Sequence, residues 1–364
     1  MRIVSPLLKA VVYPTLSNVG AFRRTANQGL AVVTYHGVTP QVYRSEDRWL
    51  DANLVHPETL RRHVRLIKKN YDLVSPEDVL GFMEGRQKLP AKAVLLTCDD
   101  GLQNCLTDMV PVLREESARC LFFVTAASAA EERTWLWYEE LFLIFLRAPS
   151  GSIRASRETC VIEEILAGRK QRRAAWWRTV CRLSQVAPET RNSLMAELRG
   201  KVNTIGKPLI DLSNHTACRR YGLLTSDEIQ KLVAAGMSVG SHTITHPILS
   251  RQEPENAYIE VARSRELLER ATGKSIWAFA YPFGDAQSVN PQVVAMVRKA
   301  GYTAAFLNFD GGLGHRLEDH YSLPRIHVTN TTTLAELEAH ISGFYGQIKA
   351  AFGQGSGLEK LSLI

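Results

Sequence analysis

Seven short apolar runs, set apart by helical text, constrain the fold more than any other feature of this chain. They are LAVVTY (30–35), AVLLTC (93–98), CLFFVT (120–125), MSVGS (237–241), IWAFAY (276–281), TAAFLN (303–308) and SLPRIHV (322–328). Most are continuous rather than alternating, as in strands covered on both faces. Between them, PETLRRHVRLIKKN sets Leu60, Val64 and Ile67 on one stripe, and TSDEIQKLVAAG opens on a capping sequence and stops at Gly236. NPQVVAMVRKAG carries Pro just inside its start and Gly at its end. Strand and helix repeated in this way predict an α/β chain with a parallel sheet, and seven units predict an incomplete (β/α) barrel rather than an open sheet.

One connection is out of scale. From 126 to 221 the text is Arg- and Trp-rich, as in RTWLWYEELFLIFL and RRAAWWRTVCRL, and it shows no convincing strand. We expect a mostly helical insertion that follows the third strand onto the catalytic face. The predicted division is an N-terminal segment (1–29), a barrel (30–125 and 222–330), a helical basic insertion (126–221), and a C-terminal helix with a loose Gly/Ser-rich tail (331–364). Charge follows the same division. Residues 151–220 hold 14 Lys plus Arg against 6 Asp plus Glu, a local +8 beside a net +7 for all 364 residues. Such a face suits an acidic glycolipid, a phosphate or a membrane headgroup, and no nucleic-acid motif accompanies it.

No apolar run reaches the roughly 18–20 residues of a spanning helix, because Lys9 and Pro14 break the most hydrophobic stretch of the N-terminus. The same breaks make it a poor signal peptide. Two readings of that segment stay open: an amphipathic piece on a membrane surface, flanked by Arg23 and Arg24, or a helix packed across the bottom of the fold. Six cysteines without a CxxC pair read as reduced thiols. The expected location is cytoplasmic, with peripheral contact at the inner membrane as the open addition.

The chemistry-bearing residues collect where strands end, which in a barrel is where catalytic groups sit. Tyr35-His36-Gly37 closes the first strand, Asp99-Asp100-Gly101 the second, Ser241-His242 the fourth, Tyr281-Pro282-Phe283-Gly284-Asp285 the fifth, and Arg325 to His327 the seventh. Two adjacent carboxylates at the end of a buried strand repel unless a cation or donors sit nearby. SHTITHP (241–247) supplies two His four apart, able to grip one ion. Two imidazoles and one carboxylate make an open three-ligand site of the kind zinc uses in hydrolysis.

These motifs resemble the polysaccharide deacetylases, carbohydrate esterase family 4, with their chitooligosaccharide-deacetylase homology domain. The family's T-F-D-D-G appears as Thr97-Cys98-Asp99-Asp100-Gly101, its His motif as His242-Thr243-Ile244-Thr245-His246, and AYPFG (280–284) looks like its third motif. The resemblance covers about 30–125 and 222–330 and implies a distorted seven-stranded (β/α) barrel. It further implies that Asp100, His242 and His246 bind a divalent ion, expected to be Zn2+, with Asp99 as general base and the Phe283 N–H, beside Tyr281, on the oxyanion and substrate side. Cys98 replaces the usual aromatic. Ala280 stands where the family carries an Arg that orients the base, and Arg325 is our candidate replacement. His36 matches the poly-N-acetylglucosamine and surface-polysaccharide branch and is assigned the acid role, with His327 supporting. The implied reaction is metal-dependent N-deacetylation of a glycan or glycolipid in surface polysaccharide biosynthesis. Hydrolysis of another acyl or formyl amide, and an inactive glycan-binding module, are the alternatives.

Overall fold

The structure, a computed structural model, describes residues 7–24, 29–130, 132–202, 208–285, 287–308 and 319–351. Its strands are β1 (Ala31–Tyr35), β2 (Asp72–Leu73), β3 (Ala93–Cys98), β4 (Leu121–Val124), β5 (Gly151–Arg157), β6 (Cys160–Leu166), β7 (Ser238–Ser241), β8 (Ala278–Ala280), β9 (Ala304–Phe306) and β10 (Ile326–His327). Seven of them form one parallel sheet in the order β10-β1-β3-β4-β7-β8-β9, with the short β2 added beside the start of β3. Leu323 bridges to Phe306 of β9 in parallel, and three residues later β10 pairs with β1, so one stretch of chain touches both edges. The result is the distorted seven-stranded (β/α) barrel, and each predicted run contains one of its strands.

Side-chain parity sorts these strands into two faces. Val32, Leu95, Leu121, Phe123, Ala278, Ala280, Ala304, Phe306 and Leu323 fill the inside, while Val33, Leu96, Phe122, Val124, Val239, Phe279 and Ile326 pack outward against helices. The interior is tight: a Cβ on Gly240 would sit 2.6 Å from the Phe123 ring. Helices used below are α1 (Pro57–Asn70), α2 (Trp137–Arg147), α3 (Arg169–Leu183), α4 (Pro188–Gly200), α5 (His215–Tyr221) and α6 (Leu334–Ile341).

The insertion departs from expectation. It holds an antiparallel hairpin, β5–β6, in addition to helices α2 to α5. Ile153, Ala155, Cys160 and Ile162 turn inward, while Arg and Glu residues between them face out. That period-2 pattern makes a half-buried strand pair despite its high charge. Hairpin and helices share a core of their own around Phe142, Phe145, Ile162, Trp176 and Leu194. Much of the basic charge is already partnered: Arg147 with Glu46, Arg157 with Glu197, Arg178 with Glu164, Arg199 with Glu140 and Arg219 with Asp108.

At the N-terminus, Tyr13 and Phe22 are buried against Ala339 and Phe344, which is the packed-helix reading. Leu7, Val11 and Val19 stay exposed on the outer side. Of the predicted tail, residues 352–364 lie outside the described residues. No helix among the described residues is long and apolar enough to cross a membrane.

Candidate active site

The inward parity of the barrel strands carries straight into the strand ends. Counting on from Thr34 gives His36, from Thr97 gives Asp99, from Gly240 gives His242, and from Leu323 gives Arg325 and His327. All five arrive at one mouth. Tyr281 has the opposite parity, and the structure does not bring it to the site. Its ring packs on Phe279 at 5.3 Å in the outer layer and its hydroxyl donates to the Tyr321 carbonyl at 3.0 Å. The sequence-based placement of Tyr281 on the substrate side is thereby corrected.

Asp100, His242 and His246 converge, with ligand atoms all within 4.8 Å of one another and all three residues buried. His246 Nε2 is 3.4 Å and His242 Nε2 3.8 Å from Asp100 Oδ1. His242 Nδ1 lies 2.8 Å from the Ala280 carbonyl, so that nitrogen carries the hydrogen and leaves Nε2 with a free lone pair. Burial pushes His242 down to about 4, which Asp99 and Asp100 only partly oppose, so the ring is neutral at pH 7. Asp100 Oδ1 is buried with no hydrogen-bond partner. A buried, unpaired carboxylate oxygen facing two neutral imidazoles fits a divalent cation.

Asp99 is held differently. Arg325 Nη1 and Nη2 each donate to it at 2.6 Å, and Arg325 is itself 1% exposed. Burial alone would raise the Asp99 pKa, but the Arg325 guanidinium, together with His242 and His36, outweighs it and holds the carboxyl well below its ordinary range. Arg325 also donates to the Leu307 carbonyl and stacks over Phe123, which fixes its plane. His36 Nε2 stands 4.0 Å from Asp99 Oδ2, and the His36 and His327 rings are 4.9 Å apart.

The backbone is bent to make this arrangement. Among the described residues, positive φ occurs at six non-glycine positions, and four of them are here: Asp100 (70°), Thr243 (66°), His246 (59°) and Phe283 (61°). Such angles persist only where surroundings enforce them. Gly284 (φ 61°) follows Phe283, and a Cβ there would meet the Asn308 nitrogen at 2.3 Å. Among the described residues nothing accepts the Phe283 N–H.

Tyr138 was missed by sequence reasoning. It lies on α2 of the insertion, with its ring 4.8 Å from His246 and 5.5 Å from Phe283. Neighbouring Trp137 donates from Nε1 to the Thr245 carbonyl within the His motif. Only the out-of-scale length of the insertion, beginning at a strand end, hinted that it reaches the mouth.

Comparison with known proteins shows what part of the chain resembles a known family. The polysaccharide deacetylase model matches residues 202–305, the part that carries the His pair and Phe283. YxkH of Bacillus subtilis (strain 168), which bears a polysaccharide deacetylase name, is 26% identical over 106 residues, 29% of this chain and 37% of that protein. The chain therefore spans well under half the length of the curated relative it matches. Among solved structures, the Streptococcus pyogenes deacetylase PplD in complex with acetate aligns with a TM-score of 0.53 at 16% identity, covering 86% of this chain and 97% of that one. IcaB from Ammonifex degensii aligns with a TM-score of 0.53 at 18% identity, covering 87% and 98%. These likenesses show a shared fold. Over the matched residues, 202–305, the chain is similar to the polysaccharide deacetylase family.

Proposed function

We propose that this protein is a hydrolase that removes acetyl groups from an N-acetylated sugar in a glycan or glycolipid, serving surface polysaccharide biosynthesis. One observation carries the reading: a carboxylate locked by two hydrogen bonds to Arg325 stands directly beside a buried Asp-His-His ligand set. The family match and the IcaB-like fold support it.

A divalent ion, with Zn2+ the expected one, would be held by Asp100, His242 and His246 and supplies Lewis acidity and a lowered pKa for water. Asp99 accepts the proton of the attacking water, and Arg325 keeps that carboxylate ionised and aimed. As the water oxygen joins the acetamide carbon, the Phe283 N–H donates to the developing oxyanion. The C–N bond then breaks, acetate leaves, and the departing nitrogen takes a proton to become a free amine. His36 fits the donor role better than His327. Burial, reinforced by the charge of His36, pushes His327 down to about 3, so it holds no spare proton at neutral pH.

Six free cysteines, four of them buried, support a reducing, cytoplasmic setting. Exposed Leu7, Val11 and Val19 support peripheral contact with the inner membrane surface.

The test is acetate release across N-acetylhexosamine polymers, lipid-linked sugars and lipopolysaccharide cores, read together with metal content. His246→Ala should lose ion and activity together, whereas Asp99→Asn should keep the ion and lose about 10²- to 10⁴-fold in kcat. Full metal content in His246→Ala would overturn the ligand assignment. Loss of the alkaline limb of the kcat profile in His327→Ala, with His36→Ala unchanged, would reverse the choice of acid.

A further inference from the structure

Tyr138 is where the insertion reaches the barrel mouth. It is half-buried and packs against the barrel core on one side and the insertion core on the other. Its ring lies 4.8 Å from that of His246 and 5.5 Å from that of Phe283, the residue whose N–H is left without an acceptor.

Three contacts fix it there. Trp176 donates from Nε1 to the Tyr138 carbonyl at 2.7 Å, Trp137 donates from Nε1 to the Thr245 carbonyl at 3.0 Å, and both Nη atoms of Arg220 donate to Glu139. The start of α2 is thus set against the His motif before any substrate arrives. A donor fixed in this way acts on a transition state without a cost of reorganisation.

The hydroxyl itself is unspent. Tyr35, Tyr43, Tyr221, Tyr281, Tyr302 and Tyr321 all hydrogen-bond theirs, whereas among the described residues the Tyr138 hydroxyl bonds to nothing. Charge shows which way it faces: the Asp100 carboxylate acts on it more strongly than that of Glu139, its neighbour in the chain, and Asp99 acts on it as well. Burial and these carboxylates, only partly opposed by Arg220, push the phenol up, so at neutral pH it keeps its proton and donates.

An acetamide oxygen gains negative charge as its carbon becomes tetrahedral, and a donor that bonds it better in that state lowers the barrier rather than tightening substrate binding. We propose that the Tyr138 hydroxyl is a catalytic donor that joins the Phe283 N–H on the acetamide oxygen as that oxygen turns negative. The phenol keeps its hydrogen throughout: the water proton goes to Asp99, and the departing nitrogen takes its own from His36. The inference rests on the deacetylase reading and adds that the insertion supplies part of the catalytic machinery.

The experiment uses Tyr138→Phe in the full chain loaded with metal, which keeps the ring against His246 and Phe283 and removes only the hydroxyl. Acetate release from N-acetylglucosamine oligomers should fall about 10²-fold in kcat, the scale for one oxyanion donor, with KM within about twofold of wild type and ion content unchanged. Inhibition by the methylphosphonamidate of glucosamine, a tetrahedral anion in place of the planar acetamide, should weaken about tenfold or more. A merely structural role would move ion content or KM and leave that difference between tetrahedral and planar ligands intact. A kcat within threefold of wild type, unchanged inhibition, or loss of the ion in Tyr138→Phe overturns the donor role while wild-type acetate release keeps the deacetylase reading. Absence of acetate release by wild type from every N-acetylated sugar overturns that reading, and the donor role with it.

Discussion

Arg325 shows what a single residue contributes here. At the residue scale, its two bonds to Asp99 answer why a buried strand can end on two adjacent carboxylates: one takes a guanidinium and the other faces the imidazoles. The Asp pair and the His pair were legible in the sequence as motifs at strand ends; inward parity carries Asp99, His242, Arg325 and His327 to the mouth, whereas Asp100 and His246 adopt left-handed backbone there. Tyr281 was misplaced because its motif was weighed and its parity was not. Lys in place of Arg325 would keep the charge but cannot make the parallel pair of bonds that orients Asp99. Arg325→Lys should therefore lower kcat about 10- to 100-fold with ion content unchanged, as read by steady-state kinetics and elemental analysis. A kcat within twofold of wild type would remove Arg325 from the mechanism.

At the scale of elements, a buried network couples the insertion to the barrel. Arg220 of α5, 1% exposed, donates from Nε to Asp51 at 2.6 Å and from both Nη atoms to Glu139 of α2 at 3.1 and 2.8 Å. It holds α2 in the position that lays Tyr138 over His246. Burial pushes the Glu139 carboxyl up, and Arg220 only partly opposes it. Removing Arg220 strands two buried carboxylates, so Arg220→Met should cost about 3–5 kcal/mol in urea denaturation. Arg119→Met, which breaks an exposed pair with Glu77, should cost under about 1 kcal/mol. Comparable losses would mean that the network is not structurally dominant. None of this was legible in the chain: Asp51, Glu139 and Arg220 lie in three separate segments, and only the tertiary fold brings them together. The hairpin β5–β6 escaped notice for a local reason. Its alternating Ile153-x-Ala155 and Cys160-x-Ile162 are short and embedded in Arg and Glu, so the charged face masked the period.

For the molecule as a whole, the barrel is a layered object whose outer face must seal against its helices, and α1 supplies a titratable group to that seal. His63, 1% exposed, lies with Nδ1 3.2 Å from the Tyr35 hydroxyl of β1. Burial pushes its pKa down to about 4; a bond to the Thr332 backbone opposes this, and Arg62 adds to it. The folded state thus favours the neutral ring, while the unfolded chain protonates near its ordinary value of about 6.5. Between those two pH values the unfolded state binds the extra proton, so stability falls as the medium is acidified. The contribution is complete above pH 6.5, declines by up to about 1.4 kcal/mol per pH unit on the way down, and is gone below pH 4, a total on the order of 3 kcal/mol. His242 is also pushed down by burial and keeps its own share of the acid sensitivity, so a difference between two proteins is the informative quantity. Urea titrations of wild type and His63→Gln at half-unit steps from pH 4 to 8 should give stability curves that differ in slope only between about 4 and 6.5 and run parallel above it. Curves parallel across the whole range would show that His63 is not the group that makes this barrel acid-labile.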